Sequence, residues 1–438
     1  MAGSAKPLDA GTGVVCASFV PETAAWLSVG RPHPAVGFVE LSSVPRFDER
    51  HRGDPDATRR HRTAMTDPAH ALLQVDVAGL APRMAADLSD PARIRWSGDG
   101  IEVEAAPAIE DAAAMVQAWQ VAGREVRLVV RGGLAAPALA EITETDPPVS
   151  ATTTTAWSAR GSALVAEAPE LSESAVVEVT GANVRWSTAA DGAVGVLAPG
   201  TGSFVVRIRL GSRVIARDPL PTLPVSGGRL VGRALAYVRG CTALATAPDE
   251  RVFLTDHRIL PLSWTRDAYW QALALLAADG PGDRRRVEDH LRWLWRRCER
   301  PDGRWVRSHL ANGRRKDLAF QADQQLYPLV ELTDVWRLTG TLPDGIEWQV
   351  AVAEAWRAAV ETLDPGTGLL PTAETAADDP AEAPYIGSTQ ILLWYAASRL
   401  AELVEAGRIG RPAPDPRAVA DAARSAFGRH FERGADVW

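Results

Sequence analysis

The sequence alternates between helix and turn from about residue 262 onward, and this pattern limits the possible folds more than any other feature. Runs of strong helix formers with a repeating apolar face predict helices near 266–279, 284–299, 324–340, 345–363, 388–406 and 416–432. Breaks containing Gly or Pro separate them, at 280–282, 301–303, 340–343, 364–368 and 410–416. The pattern predicts three helical hairpins, with long polar and aromatic loops between the pairs.

The first 220 residues have a different pattern, in which short β-branched segments alternate with Gly and Pro. This pattern predicts an antiparallel β-sandwich with one intervening helix at 109–122, and the mixed charges of 48–62 predict an exposed loop. No constellation of catalytic carboxylates occurs in this part, so we expect it to act as support. The candidate strands are 14–19, 35–41, 71–77, 101–105, 125–131, 175–180, 183–187 and 203–210.

A boundary between the two patterns falls at 218–228, which contains three prolines and two glycines. The predicted fold is therefore a multidomain β plus α protein. We expect a β-sandwich support domain at 1–228 and a helical domain at 229–438.

Charge and cysteine content exclude several classes of function. The net charge of −8 disfavours a nucleic-acid partner. No apolar run of about 18 residues and no signal-peptide core occur, so we expect a soluble cytoplasmic protein without a membrane partner. Cys16, Cys241 and Cys298 lie far apart without CxxC spacing, which favours reduced thiols over a disulfide framework, and we expect neither a metal nor a cofactor.

The segment 262–271 places two charges among aromatic residues at the start of the first predicted helix. Leu260-Pro261 cannot continue a helix, so Arg266 and Asp267 fall at a loop-to-helix junction where they can face a pocket beside Trp264. A sugar is the ligand we expect there. The alternative is an ordinary helix-start carboxylate, favoured by the helix dipole, with Arg266 as its salt-bridge partner.

Two later stretches carry further carboxylates. Asp323 precedes the third predicted helix, where the alternative role is that of an N-cap. The loop at 368–387 crowds Glu374, Asp378, Asp379 and Glu382 together. Neighbouring carboxylates raise one another's pKa, as a general acid at neutral pH requires, although an acidic surface loop explains the same residues.

Together the three stretches resemble the six-hairpin glycoside hydrolases, both the glucoamylase-like enzymes and the metal-independent exo-α-mannosidases. Trp264-Thr-Arg-Asp267 resembles the first-hairpin motif of both groups, whose arginine and aspartate hold sugar hydroxyls. The segment 320–328 is similar to the second hairpin of the mannosidases, so the resemblance places Gln321 and Asp323 at the substrate. The segment 378–388 resembles the mannosidase loop that supplies the general acid.

The resemblance implies candidate roles in catalysis. In the mannosidase comparison the acid is Asp379, which we prefer, or Asp378, with Glu382 nearby as a substrate-binding residue. In the glucoamylase comparison the acid is Glu374, although the tryptophan that usually precedes it is missing. An acid of this kind would protonate the leaving oxygen while a second carboxylate activates water.

The resemblance further implies a β-sandwich followed by a partial (α/α)6 toroid, with about three of six hairpins. The expected activity is exo-acting, inverting hydrolysis of α-linked oligosaccharides, either α-mannosides or α-glucosides. In the family the catalytic base comes from the last hairpins, so we expect this chain to be an incomplete, inactive piece of a longer protein. The alternatives are a non-catalytic sugar-binding protein and another toroid enzyme, a sugar epimerase or lyase. The few histidines of the helical part argue against an epimerase.

Overall fold

The computed structural model describes residues 6–44, 54–137, 153–211, 228–245 and 247–431. The part before residue 212 is built from strands, as the sequence predicts. In chain order these are β1 (Leu8–Gly11), β2 (Cys16–Phe19), β3 (Trp26–His33), β4 (Gly37–Ser42), β5 (Leu73–Val77), β6 (Ala85–Asp87), β7 (Ile94–Gly98), β8 (Ile101–Pro107), β9 (Ala114–Gln120), β10 (Val126–Arg131), β11 (Gly133–Ala135), β12 (Ala156–Arg160), β13 (Ala163–Ala168), β14 (Glu173–Thr180), β15 (Val184–Ala189), β16 (Gly192–Leu197) and β17 (Ser203–Leu210).

The strands form two antiparallel sheets. One has the order β1-β2-β3-β5-β10-β16-β15, with β4 joining β3 to β11. The other has the order β12-β13-β14-β17-β9-β8-β7-β6. The sheets contact each other through buried side chains, since the Trp26 indole N–H of β3 donates to Gln117 Oε1 of β9 at 2.8 Å. Phe19 of β2 and Trp96 of β7 also pack edge to face. This is the packing of a sandwich.

Two sequence predictions for this part are wrong. Residues 109–122 were expected to form a helix, but β9 runs through them and pairs with β8 and β17. Pairing on both sides and the burial of Trp119 outweigh the helix propensity of the alanines. Within 48–62, residues from 54 onward form a helix instead of a loop, α1 (Pro55–Thr66), with Asp54 as its N-cap. Residues 48–53 lie outside the described residues.

The helical part contains the predicted helices within a few residues of their expected bounds. A connecting helix comes first, and three antiparallel pairs follow. Short strands lie between them: β18 (Thr242–Leu244), β19 (Arg251–Phe253), β20 (Leu262–Ser263), β21 (Ser308–Leu310) and β22 (Arg315–Asp317). The helices are α2 (Gly228–Cys241), α3 (Thr265–Ala278), α4 (Asp283–Arg296), α5 (Ala322–Thr339), α6 (Trp348–Val360), α7 (Gly387–Glu405) and α8 (Pro416–Phe431).

The first helices of the three pairs pack side by side. Helix α3 packs on α5, and α5 packs on α7, while α4, α6 and α8 each pack on the preceding helix. Thr265 contacts Gln324, and Tyr269 contacts Tyr327 one turn further along both helices, so α3 and α5 run in the same direction. Their N-termini, with the loop that precedes α7, therefore lie at one end of the helical part.

The sandwich is joined to the helical part by buried ion pairs. Arg258 Nη1 lies 2.7 Å from Glu40 Oε1, and both side chains are almost fully buried. His257 Nε2 lies 3.4 Å from Asp9 Oδ1 in this junction. Of the predicted boundary at 218–228, residues before Gly228 lie outside the described residues.

Candidate functional site

Helix α3 begins at Thr265, directly before Arg266 and Asp267, and no side chain at its own N-cap position caps it. Trp264 is extended at the N-cap position and makes no side-chain cap. Gln324 of α5 supplies the missing acceptor, because its Oε1 accepts from the backbone N–H of Thr265 at 2.8 Å and of Arg266 at 3.4 Å. The start of α3 is therefore capped by the neighbouring helix.

Pro328 makes a second link between these two helices possible. It lies inside α5 and has no N–H, so the carbonyl of Gln324, four residues earlier, lacks its usual intrahelical donor. The Thr265 hydroxyl lies 3.0 Å from that carbonyl, within donating distance, and it also contacts the Gln324 side-chain Oε1. Arg266 and Asp323 are held next to each other as a result.

Arg266 lies at the centre of three carboxylates from three segments. Its Nη1 donates to Asp323 Oδ2 at 3.1 Å, and its Nη2 donates to Asp378 Oδ1 at 3.3 Å. The Asp267 carboxylate lies 3.6 Å from the same Nη2. We call Arg266, Asp267, Asp323 and Asp378 the Arg266 cluster.

Burial changes the proton affinities in the Arg266 cluster. Burial raises the pKa of Asp323, and the nearby Arg266 opposes that rise. Burial also raises the pKa of Asp267, again opposed by Arg266 and reinforced by Asp378. For Arg266 itself burial lowers the pKa, but Asp323 and Asp267 more than offset this and the net pKa is raised. The guanidinium therefore keeps its charge, while the two carboxyls bind protons more readily than free aspartate.

The loop before α7 folds back on itself to present Asp378. The backbone N–H of Thr375 donates to Asp379 O at 2.8 Å, and Glu374 forms an isolated bridge with Pro380. Asp378 has a φ of 64° at the tip, a left-handed conformation that aspartate tolerates better than most residues. Gln321 Nε2 donates to Asp378 Oδ1 at 2.6 Å and so fixes its direction.

Glu374 is held in a separate ion pair. Both of its carboxylate oxygens accept from Arg307 Nη1, at 3.0 and 2.9 Å. The other guanidinium nitrogen, Nη2, bonds to the buried Asp317 of β22. Arg307 thereby fastens the acidic loop to the small sheet formed by β20, β21 and β22.

The remaining predicted residues fall into two groups. Asp379 and Glu382 are exposed on the loop, outside the Arg266 cluster. Trp264 and Gln321 are buried, with Trp264 only 4% exposed. Trp305 is also buried.

Sequence reasoning missed two aromatic residues that lie one helical turn beyond members of the Arg266 cluster. Trp270 follows Arg266 by one helical turn and is 58% exposed, and Tyr327 follows Asp323 by one turn. The i, i+4 spacing to the two charged residues was the available signal.

Two further properties concern metals and membranes. Among the described residues, no group of three or more His, Cys, Asp or Glu side chains is arranged to hold a metal ion. None of the helices that the structure describes is long and apolar enough to cross a membrane.

The chain has the fold of a bacterial glucoamylase. The crystal structure of that enzyme with acarbose aligns over 97% of this chain and 67% of its own, with a TM-score of 0.57 and 8% identity. A metal-independent α-mannosidase of Streptococcus pneumoniae, in a non-productive complex with α-1,6-mannobiose, aligns over 45% of this chain and 55% of its own, with a TM-score of 0.36 and 14% identity. No family model matches the sequence, and no curated protein is significantly similar to it in sequence.

Proposed function

We propose that the Arg266 cluster binds the terminal sugar of an α-linked oligosaccharide, as the substrate-binding site of an exo-acting glycoside hydrolase. The observation that carries this proposal is that one partly buried guanidinium contacts carboxylates from three segments. The contacts lie at the end of the helical part where α3 and α5 begin. Carboxylates and guanidinium groups form strong charge-assisted hydrogen bonds with hydroxyls. The shared fold with a bacterial glucoamylase supports the same conclusion.

Asp267 is the member of the cluster best placed to meet a ligand. Its side chain is 36% exposed, while that of Asp323 is 9% exposed. Arg266 contacts both, so a sugar hydroxyl that accepts from the guanidinium can donate to either carboxylate. We propose that Asp267 binds the sugar directly. Asp323 mainly holds Arg266 in position.

The proposed general acid is Asp378 or Asp379. Glu374 is a weaker candidate because Arg307 occupies both of its oxygens. Asp378 uses Oδ1 to accept from Arg266 and Gln321, and its Oδ2 makes no such contact with the described residues. Asp379 is exposed. An inverting mechanism needs a second carboxylate about 6.5–9.5 Å from the acid to activate water, and we assign no residue to that role.

The proposed architecture is a sandwich domain at 1–228 and a helical domain at 229–438, with the three hairpins arranged as part of an (α/α)6 toroid. The side-by-side packing of α3, α5 and α7, each with the next helix along the chain packed against it, supports it. The buried Arg258–Glu40 pair favours a structural role for the sandwich, because it joins the sandwich to the helical part. The sandwich would hold the segment leading into β20 and the start of α3.

The test is to incubate the full chain with α-1,6-mannobiose, maltose and acarbose. Binding is measured by calorimetry, and the first-formed sugar is followed by proton NMR. The proposal predicts saturable binding of at least one sugar and, where turnover occurs, release of the β-anomer from an α-linked substrate. Absence of binding to all three would contradict a sugar site, and initial release of the α-anomer would contradict inversion.

A non-catalytic sugar-binding protein is the second candidate. It is favoured by the pairing of two loop carboxylates with arginines, Glu374 with Arg307 and Asp378 with Arg266. The same experiment separates the two candidates, because this alternative predicts binding heats without any change in the anomeric proton signals.

A further inference from the structure

Trp270 is exposed in a stretch of α3 that is otherwise packed. Trp270 is 58% exposed, whereas the neighbouring Ala268, Tyr269 and Ala272 are buried. Burying a tryptophan side chain contributes strongly to stability, so a largely exposed indole on a core helix needs a reason.

The indole lies beside the Arg266 cluster. Trp270 follows Arg266 by four residues, which puts both on one face of α3 about 6 Å apart along the axis. Helical side chains lean toward the N-terminus, so a residue covers the turn that precedes it. Trp270 therefore covers the turn that carries Arg266 and Asp267. Tyr327 stands in the same relation to Asp323 on α5.

The exposed ring is held from behind by other aromatic residues. Tyr269 contacts Trp270 with ring centroids 5.0 Å apart and Tyr327 with centroids 5.4 Å apart. The Tyr269 hydroxyl donates to Asp334 at 3.0 Å, and Tyr395 of α7 also donates to that carboxylate. These contacts connect the Trp270 and Tyr269 rings of α3 to side chains of α5 and α7.

Tyr327 connects the rings to the charges. Burial raises the pKa of Tyr327, Asp323 adds to the rise, and a hydrogen bond from Trp270 opposes it. Trp270 and Tyr327 are therefore neighbours across α3 and α5. A ring that is already ordered loses little conformational entropy when a ligand stacks on it.

We propose that Trp270 is a stacking face for the pyranose ring whose hydroxyls the Arg266 cluster binds. This inference rests on the proposed function and deepens it. A pyranose carries a face of C–H groups that packs on an aromatic ring, while the charged cluster binds its hydroxyl edge. An open-chain polyol has hydroxyls but no such face. The site should therefore prefer cyclic sugars to alditols.

Trp394 provides a matched control. It is an exposed tryptophan on α7, 38% exposed. It follows Gly387 by seven residues, two helical turns, and so lies on the same face of α7. Gly387 lies next to Phe431 of α8, so this face is turned toward α8. The informative variants are Trp270→Gln, Trp270→Phe and Trp394→Gln, all made in the full chain.

The experiment measures acarbose affinity by calorimetry and, by mass spectrometry, the oxidation of individual tryptophans with N-bromosuccinimide. Trp270→Gln should weaken binding about five- to tenfold, Trp270→Phe less, and Trp394→Gln not at all. Acarbose should slow oxidation of Trp270 but not of Trp394, and sorbitol should protect neither.

The outcomes separate this inference from the function on which it rests. If the wild type binds acarbose and Asp267→Asn weakens that binding, but Trp270→Gln binds normally and Trp270 stays unprotected, the stacking face is contradicted alone. If the wild type binds no sugar, the proposed function and the stacking face are both contradicted. Should Trp270→Gln fail to fold, the acarbose affinity of Trp270→Phe and the protection of wild-type Trp270 from oxidation still test whether Trp270 stacks on the sugar.

Discussion

The Thr265 hydroxyl lies 3.0 Å from the main-chain carbonyl of Gln324, a contact between the first turns of α3 and α5. That carbonyl is available because Pro328 has no N–H to donate to it. The same pair of turns carries Arg266 and Asp323, whose side chains meet at 3.1 Å. A proline that would ordinarily weaken a helix here allows two helices to be joined at the candidate site.

This link predicts non-additive stability effects. Thr265→Val should lower the free energy of unfolding by about 1–2 kcal/mol, because it leaves the buried Gln324 carbonyl without a donor. In a Pro328→Ala background the same change should cost clearly less, since the restored N–H can bond to that carbonyl. Urea unfolding of the four proteins measures the coupling. Equal costs of Thr265→Val in both backgrounds would mean that Pro328 does not create the link.

Local sequence signals predicted the helical part well. Pro261 before a run of helix formers located the start of α3, and the Gly and Pro breaks located the hairpins. The same signals misled at 109–122, where alanines favour a helix but the partners of β9 lie far away in sequence. The helix α1 could have been found from Asp54-Pro55, an N-cap followed by a proline in the first turn.

The charged residues of the candidate site were easier to predict from the sequence than the exposure of the side chains around them. Arg266, Asp267 and Asp323 were singled out from their places at helix starts, and they do lie together. Which tryptophan is exposed depends on how α3 packs against its neighbours, so the exposure of Trp270 and the burial of Trp264 could not be derived from one sequence. The Arg307–Glu374 pair joins residues 67 positions apart and left no local signal.

Sugar affinity should depend on pH through Asp267 and Asp323. The ionised form of Asp267 accepts a hydrogen bond from a sugar hydroxyl, the ionised form of Asp323 holds Arg266 in position, and burial raises both pKa values. Affinity should therefore fall as the pH is lowered, beginning above the usual aspartate pKa of about 3.9. Calorimetric titrations with acarbose between pH 7 and pH 4 test this, and a melting curve at each pH controls for unfolding. Constant affinity across that range would argue against carboxylate contacts.

His290 Nε2 of α4 and Glu331 Oε1 of α5 lie 3.7 Å apart, and both side chains are fully buried. This pair should limit stability at both ends of the pH range. Burial raises the pKa of Glu331 from 4.5 to about 8 and lowers that of His290 from 6.5 to about 3. Between these two pH values Glu331 keeps a proton in the folded state that the unfolded state releases. Its contribution to the free energy of unfolding is therefore lost as the pH rises from 4.5 to 8. His290 stays neutral when folded, so stability is lost as the pH falls from 6.5 to 3.

Glu331→Gln isolates the alkaline effect. The amide resembles the protonated acid but cannot ionise, so the variant should lose stability much less between pH 6.5 and pH 8 than the wild type. The wild-type decline should approach about 1.4 kcal/mol per pH unit. Denaturant unfolding at several pH values measures both slopes. Identical slopes in the two proteins would show that Glu331 is not protonated in the folded state.

Single substitutions of the loop carboxylates should identify the acid. In a catalytically active preparation, Asp378→Asn or Asp379→Asn should abolish most turnover of substrates with poor leaving groups and spare activated aryl glycosides, which need less protonation. Glu374→Gln should lower activity on both substrates to a similar extent, because it only releases the loop from Arg307. Equal small effects at all three positions would make the segment an acidic surface loop.

The most direct test of the central claim is acarbose binding by wild-type chain and by Asp267→Asn, measured by calorimetry together with the melting temperature. The claim is that the carboxylate on the first turn of α3 contacts sugar hydroxyls. It predicts saturable wild-type binding, weakened at least about tenfold in the variant, with little change in melting temperature because Asp267 is partly exposed. Unchanged affinity with a large fall in melting temperature would contradict it, and would make Asp267 a helix-stabilising residue instead.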